Sequence, residues 1–179
     1  LQARHHLLAL LLLLIAQASK VWFGPAVSPL AIIVPPTLLI AQGLGTASAL
    51  AWMAICSFLW PLPITGLGEG RIIVACAVAA VVALQGGQMR SRAQLLQMAV
   101  VLPLGALLAE WFLLRNQIST TNGAWGLLAP NSDELVSEAL LMGAMMMIAI
   151  LLIPILENTF GLITRARLLE LADHERPLL

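Results

Sequence analysis

Tyrosine is absent from this 179-residue chain, and charged residues make up only 10% of it. A soluble domain carries roughly 25% charged residues. The surface that would face water is missing, and no soluble globular reading survives. Nine basic and nine acidic residues leave a net charge of zero, so there is no basic face for nucleic acid and no acidic tail. Cysteine is scarce too. Cys56 and Cys76 both fall inside apolar runs, where a thiol behaves as a small apolar group, and they imply neither a disulfide nor a metal site. His5 and His6 are adjacent and not one helical turn apart, which disfavours a shared metal ion. Gly66, Gly68 and Gly70 follow no strand and do not make a nucleotide-binding loop. No serine motif of a membrane protease and no ordered run of intramembrane acids occurs. The chain therefore offers no catalytic, cofactor-binding or metal-binding residue of its own.

What it has in abundance is apolar sequence: 60% of the residues, with a mean hydropathy of +0.96. Six candidate spans follow one another, at about His5–Ser19, Pro29–Gly43, Thr46–Leu62, Arg71–Gln85, Ala93–Leu114 and Glu134–Phe160. Lipid offers a backbone no hydrogen-bond partners, so spans made of such runs are helices. The expectation is an all-α, polytopic membrane bundle of about six transmembrane helices over residues 1–160. Residues 161–179 then form a short amphipathic cytoplasmic linker. The second span is the weak one. At 1.5 Å per residue its 15 or so residues reach only ~22 Å, short of the ~30 Å hydrocarbon core. Pro35-Pro36 in its middle removes backbone donors, which suggests a kink, or a broken or re-entrant segment.

Charge placement sets the orientation. With six passes both termini share one side, and that side collects Arg4, Arg90, Arg92, Arg165, Arg167 and Arg176. The opposite loops hold only Lys20, Arg71 and Arg115. By the positive-inside rule both termini are cytoplasmic. Arg4-His5-His6, the run Leu7–Ile15 and Ala16-Gln17-Ala18 also imitate a secretory signal, but five further spans and a first residue that is not Met favour a first span within a longer protein. Trp22, Phe23, Trp60, Trp111 and Trp125 fall near span ends or in the outer loop, as interfacial anchors do.

Ionisable residues within a bilayer are costly and often functional. Glu110 is the candidate intramembrane polar site, read either as a carboxylate reaching the outer headgroups or as a sensor of an outer ligand or domain. Met142, Met145, Met146 and Met147 read as core or lipid-facing filler. Gly43, Gly45, Ala47, Ser48, Gly86 and Gly87 would allow close helix contact, within one chain or in a homodimer. The longest connection, Arg115–Asp133, is turn-forming at Ser119–Gly123, and Pro130-Asn131 with Glu134 resembles a capping box.

The tail is the most informative stretch. An apolar helix from Leu135 to Ile155 passes through Pro154, Glu157, Asn158, Phe160 and Gly161 and then turns, within one helical turn, into the mixed-charge segment from Thr164 to Leu179. Pro154 weakens the helix ladder where it leaves the membrane. Gly161 suits a helix C-terminus and Thr164 the cap of a new helix. Leu168, Leu171 and Ala172 share one face of that second helix. Asp173 and Glu175 oppose its dipole unless a partner supplies positive charge. The segments Pro154-Ile-Leu-Glu157-Asn-Thr-Phe160-Gly161-Leu-Ile-Thr164 and Leu168-Leu169-Glu170-Leu171-Ala-Asp173-His-Glu-Arg-Pro177-Leu178-Leu179 together resemble the junction of the seven-transmembrane HD-domain family. Its members are similar to the PgpH-type cyclic-di-AMP phosphodiesterases.

The resemblance implies an order of anchor helix, extracytoplasmic domain, seven membrane helices and cytoplasmic HD-type metal phosphohydrolase, in a bacterial inner membrane. This chain would supply the last six helices and stop just before the hydrolase. The metal-binding His and Asp residues, and the divalent metal pair they hold, would lie beyond Leu179; Asp173-His174 is in the linker and is no HD ligand pair. The coupling residues are then Pro154, Glu157, Phe160, Gly161, Thr164, Leu168 and Leu171. The implied function is a signalling and anchoring module, with the bilayer and the absent outer and HD domains of the same protein as partners. A different class of function also suits six short helices: a small-molecule-binding membrane subunit of a transporter. That reading expects polar residues converging in a pocket at mid-membrane or toward the outside, and Glu110 alone qualifies. A purely structural anchor is the third reading.

Overall fold

Residue 28 opens the helix around which the others are arranged. Ser28 is extended and its hydroxyl accepts from the N–H of Ala31 at 3.1 Å, while Pro29 occupies the first helical position. Both are favourable helix starts, since the cap satisfies an orphan donor and proline has none to lose. The computed structural model of the chain describes residues 2–24, 28–60, 69–88, 91–118 and 132–160, and these form six helices with no strand among the described residues. They are α1 (Gln2–Phe23), α2 (Pro29–Leu44), α3 (Thr46–Phe58), α4 (Glu69–Gly86), α5 (Arg92–Ile118) and α6 (Ser132–Phe160). The expected spans match these helices to within a few residues at most ends. α3 stops at Phe58 and not Leu62, and α5 runs on to Ile118.

α2 packs against α1, α3, α4 and α6, and nearly all of its residues are buried. This segment is not broken: the helix is continuous through Pro35-Pro36. Two prolines remove two ladder donors. Just beyond them the Thr37 hydroxyl donates to the carbonyl of Ile33 at 2.7 Å, a local bond that keeps a buried polar group satisfied. Apolar packing on every side makes the shortness of α2 tolerable.

One residue joins α2 to α3. Gly45 has φ +94° and ψ 168°, a region open essentially only to glycine, and its N–H donates to Ile40 O at 3.2 Å. Neighbours then alternate in direction. The indole N–H of Trp52 donates to Ala9 O at 3.1 Å and Lys20 reaches Leu59 O, so α1 and α3 run parallel. Gln42 donates to Gly86 O and Ser28 to Glu138, so α2 runs parallel to α4 and to α6. A Cβ at Gly143 would meet Pro103 Cγ at 3.4 Å, which sets α6 against α5. Close approach also explains two of the small residues. A Cβ at Gly86 would stand 2.9 Å from Leu38 Cδ1, and one at Gly87 would clash with the Thr46 methyl. Those contacts lie within the chain.

Alanines supply part of the inward packing beside larger residues such as Leu30, Leu38 and Met142. Ala16, Ala49, Ala75, Ala79, Ala83, Ala99 and Ala106 are buried, while Leu10, Leu14, Val100, Leu104, Leu108, Leu140 and Leu151 are exposed. Without a hydrophobic drive between helices, close packing of small side chains holds a bundle together. A surface of this size and apolarity has no counterpart on a water-soluble monomer. Three helices contain stretches long and apolar enough to cross a membrane: His5–Phe23, Ala93–Phe112 and Leu135–Leu156. The protein is an integral membrane protein. The four methionines divide as filler would, Met142 and Met146 inward, Met145 and Met147 outward.

Candidate functional site

A layer of buried polar side chains lies at one end of the bundle, and each member sits on a helix stripe that is otherwise apolar. On α1 the stripe is Leu8, the half-buried Leu12, Ala16 and Lys20, one residue every four. Lys20 is only 1% exposed. Its ammonium donates to Leu59 O at 2.8 Å and Trp60 O at 3.0 Å and lies 5.1 Å from the centre of the Trp60 ring. Carbonyls at the end of α3 have no intrahelical donors left. A lysine brought to them satisfies those acceptors and meets the negative end of the helix dipole, and the ring face adds a cation–π attraction.

On α6 the buried stripe runs Leu135, Glu138, Ala139, Met142, Met146, Ala149 and Ile150. Glu138, 4% exposed, accepts a 2.5 Å bond from the Ser28 hydroxyl. Ser28 therefore does two things: it caps α2 through its oxygen and offers its proton to a carboxylate on α6. The negative charge comes to rest at the positive end of α2, the favourable end for an anion. On α5 the stripe is Leu95, Met98, Ala99, Ala106 and Glu110, with Glu110 5% exposed. Glu110 lies seven residues beyond Pro103, and Glu138 five before Gly143, which faces Pro103. At 1.5 Å per residue the two carboxylates stand at similar heights on neighbouring helices.

Glu110 is thus an inward-facing residue and not a carboxylate extended to the headgroups. Two further expectations are corrected at the same level. Lys20 belongs to the last turn of α1 and is buried, not exposed in a loop. Trp60 is 2% exposed and is no interfacial anchor, because its ring forms one wall of the lysine site. Trp22, at 87% exposure, and Trp111 and Phe23 do face outward, as anchors would; Trp125 lies outside the described residues.

The junction residues are reached in part. α6 continues through Pro154, whose side chain is exposed, and Glu157 and Phe160 lie in its last turn. Gly161, Thr164, Leu168 and Leu171 lie outside the described residues, as does the 119–131 loop. Glu138, Lys20 and Ser28 are absent from the candidates read off the sequence. The signal that would have found them is register: Lys20 and Ser28 extend a row of inward residues by one more turn, and Glu138 lies within one.

Such an arrangement has little chemistry of its own. The Glu138 carboxylate is held by a hydroxyl and the Lys20 ammonium by two carbonyls, all at helix ends, and among the described residues no three His, Cys, Asp or Glu side chains gather closely enough to hold a metal. What it can do is clamp helices: α1 to α3, and α2 to α6. A helical membrane module with a polar clamp at one end and one long exit helix is the class that fold and site define. The chain belongs to the family described as 7TM receptor with intracellular HD hydrolase, whose model matches residues 2–164. No curated protein and no solved structure matches the chain.

Proposed function

We propose that the chain is the signalling and anchoring module of a receptor-like membrane phosphohydrolase, relaying an extracytoplasmic input to a cytoplasmic HD-type cyclic-dinucleotide phosphodiesterase. The observation that carries it is α6. It is one uninterrupted helix of 29 residues, about 43 Å long. Its Glu138 end is bonded to the cap of α2, and its other end runs into the residues that resemble the family junction. A movement of α2 at the clamp therefore has a continuous helical path as far as Pro154. Family membership supports a hydrolase after the junction; the substrate, cyclic-di-AMP, and a divalent metal pair in that hydrolase rest on the resemblance alone. All six helices are read as membrane passes in a bacterial inner membrane, with both ends cytoplasmic, on the positive-inside argument. In this reading Pro154 gives the exit angle its freedom and Glu157 is the residue that sets it. The transporter alternative asks for polar side chains open to a ligand at mid-membrane or toward the outside, whereas Lys20, Ser28 and Glu138 at that end are bonded to neighbouring helices.

The test uses the whole protein in nanodiscs and follows hydrolysis of cyclic-di-AMP. Glu157→Ala should leave an active hydrolase whose rate no longer differs between bilayer and detergent. A Glu157→Ala protein as sensitive to its surroundings as the wild type would overturn the coupling role. No hydrolysis of any cyclic dinucleotide by the wild type would overturn the substrate class. Orientation is tested by cysteine labelling in intact cells, after Cys56 and Cys76 are replaced. Trp22→Cys should react with an impermeant maleimide and Gln88→Cys should not; the reverse pattern refutes the topology.

A further inference from the structure

α3 and α4 run antiparallel, and two contacts fix their register. A Cβ at Gly87 would press on the Thr46 side chain. Eleven residues further along α3, and eleven back along α4, Ser57 Oγ lies 2.9 Å from Cys76 Sγ. The Ser57 hydroxyl donates to the carbonyl of Met53 at 2.8 Å, which engages its one proton. Across the 2.9 Å contact the Cys76 S–H is therefore the donor and Ser57 Oγ the acceptor. Cys56 precedes Ser57 and is 2% exposed, while Cys76 is half-buried. Both cysteines are free, and they lie close enough to act on each other electrostatically. With consecutive Cα atoms about 3.8 Å apart, Cys56 brings a second sulfur one step from the Ser57–Cys76 contact.

Two sulfurs brought together from different helices have two chemistries open to them, oxidation to a disulfide or capture of a soft cation. Thiolate ligands select ions such as Cu(I) over hard cations, and a coordinated thiol is deprotonated outright. Ser57 favours the second course. Its oxygen accepts from the Cys76 S–H. Once that proton leaves, the same hydroxyl can turn and donate to the thiolate, because Met53 O keeps the Ser57 backbone N–H as its helical donor. A metal-bound thiolate is a strong acceptor for such a hydroxyl, whereas a disulfide sulfur carries neither proton nor charge for Ser57 to answer. Cys76, half-buried at this contact, gives an ion its way in.

We propose that Cys56 and Cys76 form a two-sulfur site for a soft monovalent metal ion, Cu(I) or Ag(I), joining α3 to α4. Each thiol gives its proton to solvent as its bond to the metal forms, and no oxidation state changes. The site stands independently of the signalling reading. An ion bound here would tie α4 to the helix whose end already receives Lys20 from α1.

The test is Cu(I) binding by the purified full chain in detergent micelles, without oxygen and with a phosphine reductant, in competition with a chromogenic Cu(I) chelator. One ion per chain should be held, with release of about two protons. Ag(I) should displace it and Zn(II), which asks for four ligands, should not. X-ray absorption at the copper edge should show two sulfur neighbours, a readout that needs no variant. Cys56→Ala and Cys76→Ala should each weaken binding about a hundredfold or more, and Ser57→Ala about tenfold, one hydrogen bond to a charged sulfur; Met146→Leu should leave it unaltered. Cys76 is half-buried, so its variant keeps the test decisive if Cys56→Ala does not fold. Absence of retained Cu(I), binding without proton release, equal binding of Zn(II), or full binding in either cysteine variant would each overturn the proposal. So would a Cys56–Cys76 disulfide formed in air by a protein that, once reduced, holds no Cu(I), since the pair would then be a redox couple and not a metal site.

Discussion

Replacing Ser28 with alanine removes one oxygen and two functions. The hydroxyl accepts from Ala31 N as the cap of α2 and donates to the Glu138 carboxylate at 2.5 Å. A lost cap costs about 1 kcal/mol. A hydrogen bond to a charged group is worth about 1.5–3 kcal/mol in soluble proteins, but side-chain bonds between membrane helices average about 0.6 and reach about 1.7 kcal/mol. The larger figure assumes that the unfolded partner is solvated by water. In a micelle the separated helices find other partners, so the smaller range governs, and a charged, buried acceptor places this bond at its top. Ser28→Ala should therefore lose about 2–3 kcal/mol, of which about 1.5 belongs to the bond with Glu138.

A double-mutant cycle separates the two terms. Ser28→Ala, Glu138→Leu and the double variant are unfolded reversibly in mixed micelles, followed by helical circular dichroism. The coupling energy between the two sites should come to about 1–2 kcal/mol, while the cap loss appears in Ser28→Ala regardless of residue 138. Ser28→Gly, which keeps most of a cap's function, should recover much of the cap loss but none of the coupling. A coupling energy within about 0.3 kcal/mol of zero, the usual additivity error, would mean that the Ser28–Glu138 contact does not hold α2 to α6, and the clamp would have to be abandoned.

Three further substitutions probe other parts of the same bundle. Lys20→Met keeps the length of the side chain but leaves Leu59 O and Trp60 O without their donor; it should cost about 1–3 kcal/mol and increase quenching of Trp60 by an aqueous quencher, measured with the other tryptophans replaced by phenylalanine, and unaltered stability would refute the capping role. Gly45→Ala meets nothing within 4 Å of its new Cβ, so a packing argument predicts no effect, whereas the φ of +94° predicts a loss of about 1–3 kcal/mol; the unfolding midpoint decides between them. Gly87→Ala would drive a Cβ into the Thr46 methyl and should lose about 1–3 kcal/mol. Adding Thr46→Ser to Gly87→Ala should recover much of that loss, and a double variant as weak as Gly87→Ala alone would place the strain elsewhere.

How much of this was legible in the chain depended on which property carried it. Runs of apolar residues broken by Gly45, by the stretch around Pro61–Gly68 and by Gly86-Gly87 located six helices closely, because in lipid an apolar run has no alternative to helix. The centre of the bundle was not legible from length. α2 looked like the weakest pass, being short and holding Pro35-Pro36, yet it is buried on nearly every side. Shortness argues against a segment only if the segment has to meet lipid along its length, and a helix wrapped by four others does not. Pattern also failed to show which faces turn inward, since large apolar residues cover both sides of α1, α5 and α6 and leave little contrast of polarity between them.

The clamp shows where the missing contrast can be found. In a membrane bundle the inward face is marked by small residues, and a charged residue in register with them points in. Ala16 precedes Lys20 by four, Ala106 precedes Glu110 by four, and Glu138 precedes Met142 by four and adjoins Ala139; all are buried. Glu110 interrupts an apolar run and is visible as a candidate, whereas Lys20 falls between the first two spans and nothing in the run around Glu138 singles it out. Distance from a span's end is a weak guide, because a side chain near the end can either reach water or turn inward to a helix terminus. What decides is the partner available on the inward side. For Lys20 it is a pair of carbonyls at the end of α3, and for Glu138 a hydroxyl at the start of α2. Helix ends supply such partners at the rim of a bundle, so charges in register with small residues near span ends are the positions at which to look for helix-to-helix clamps in chains of this kind.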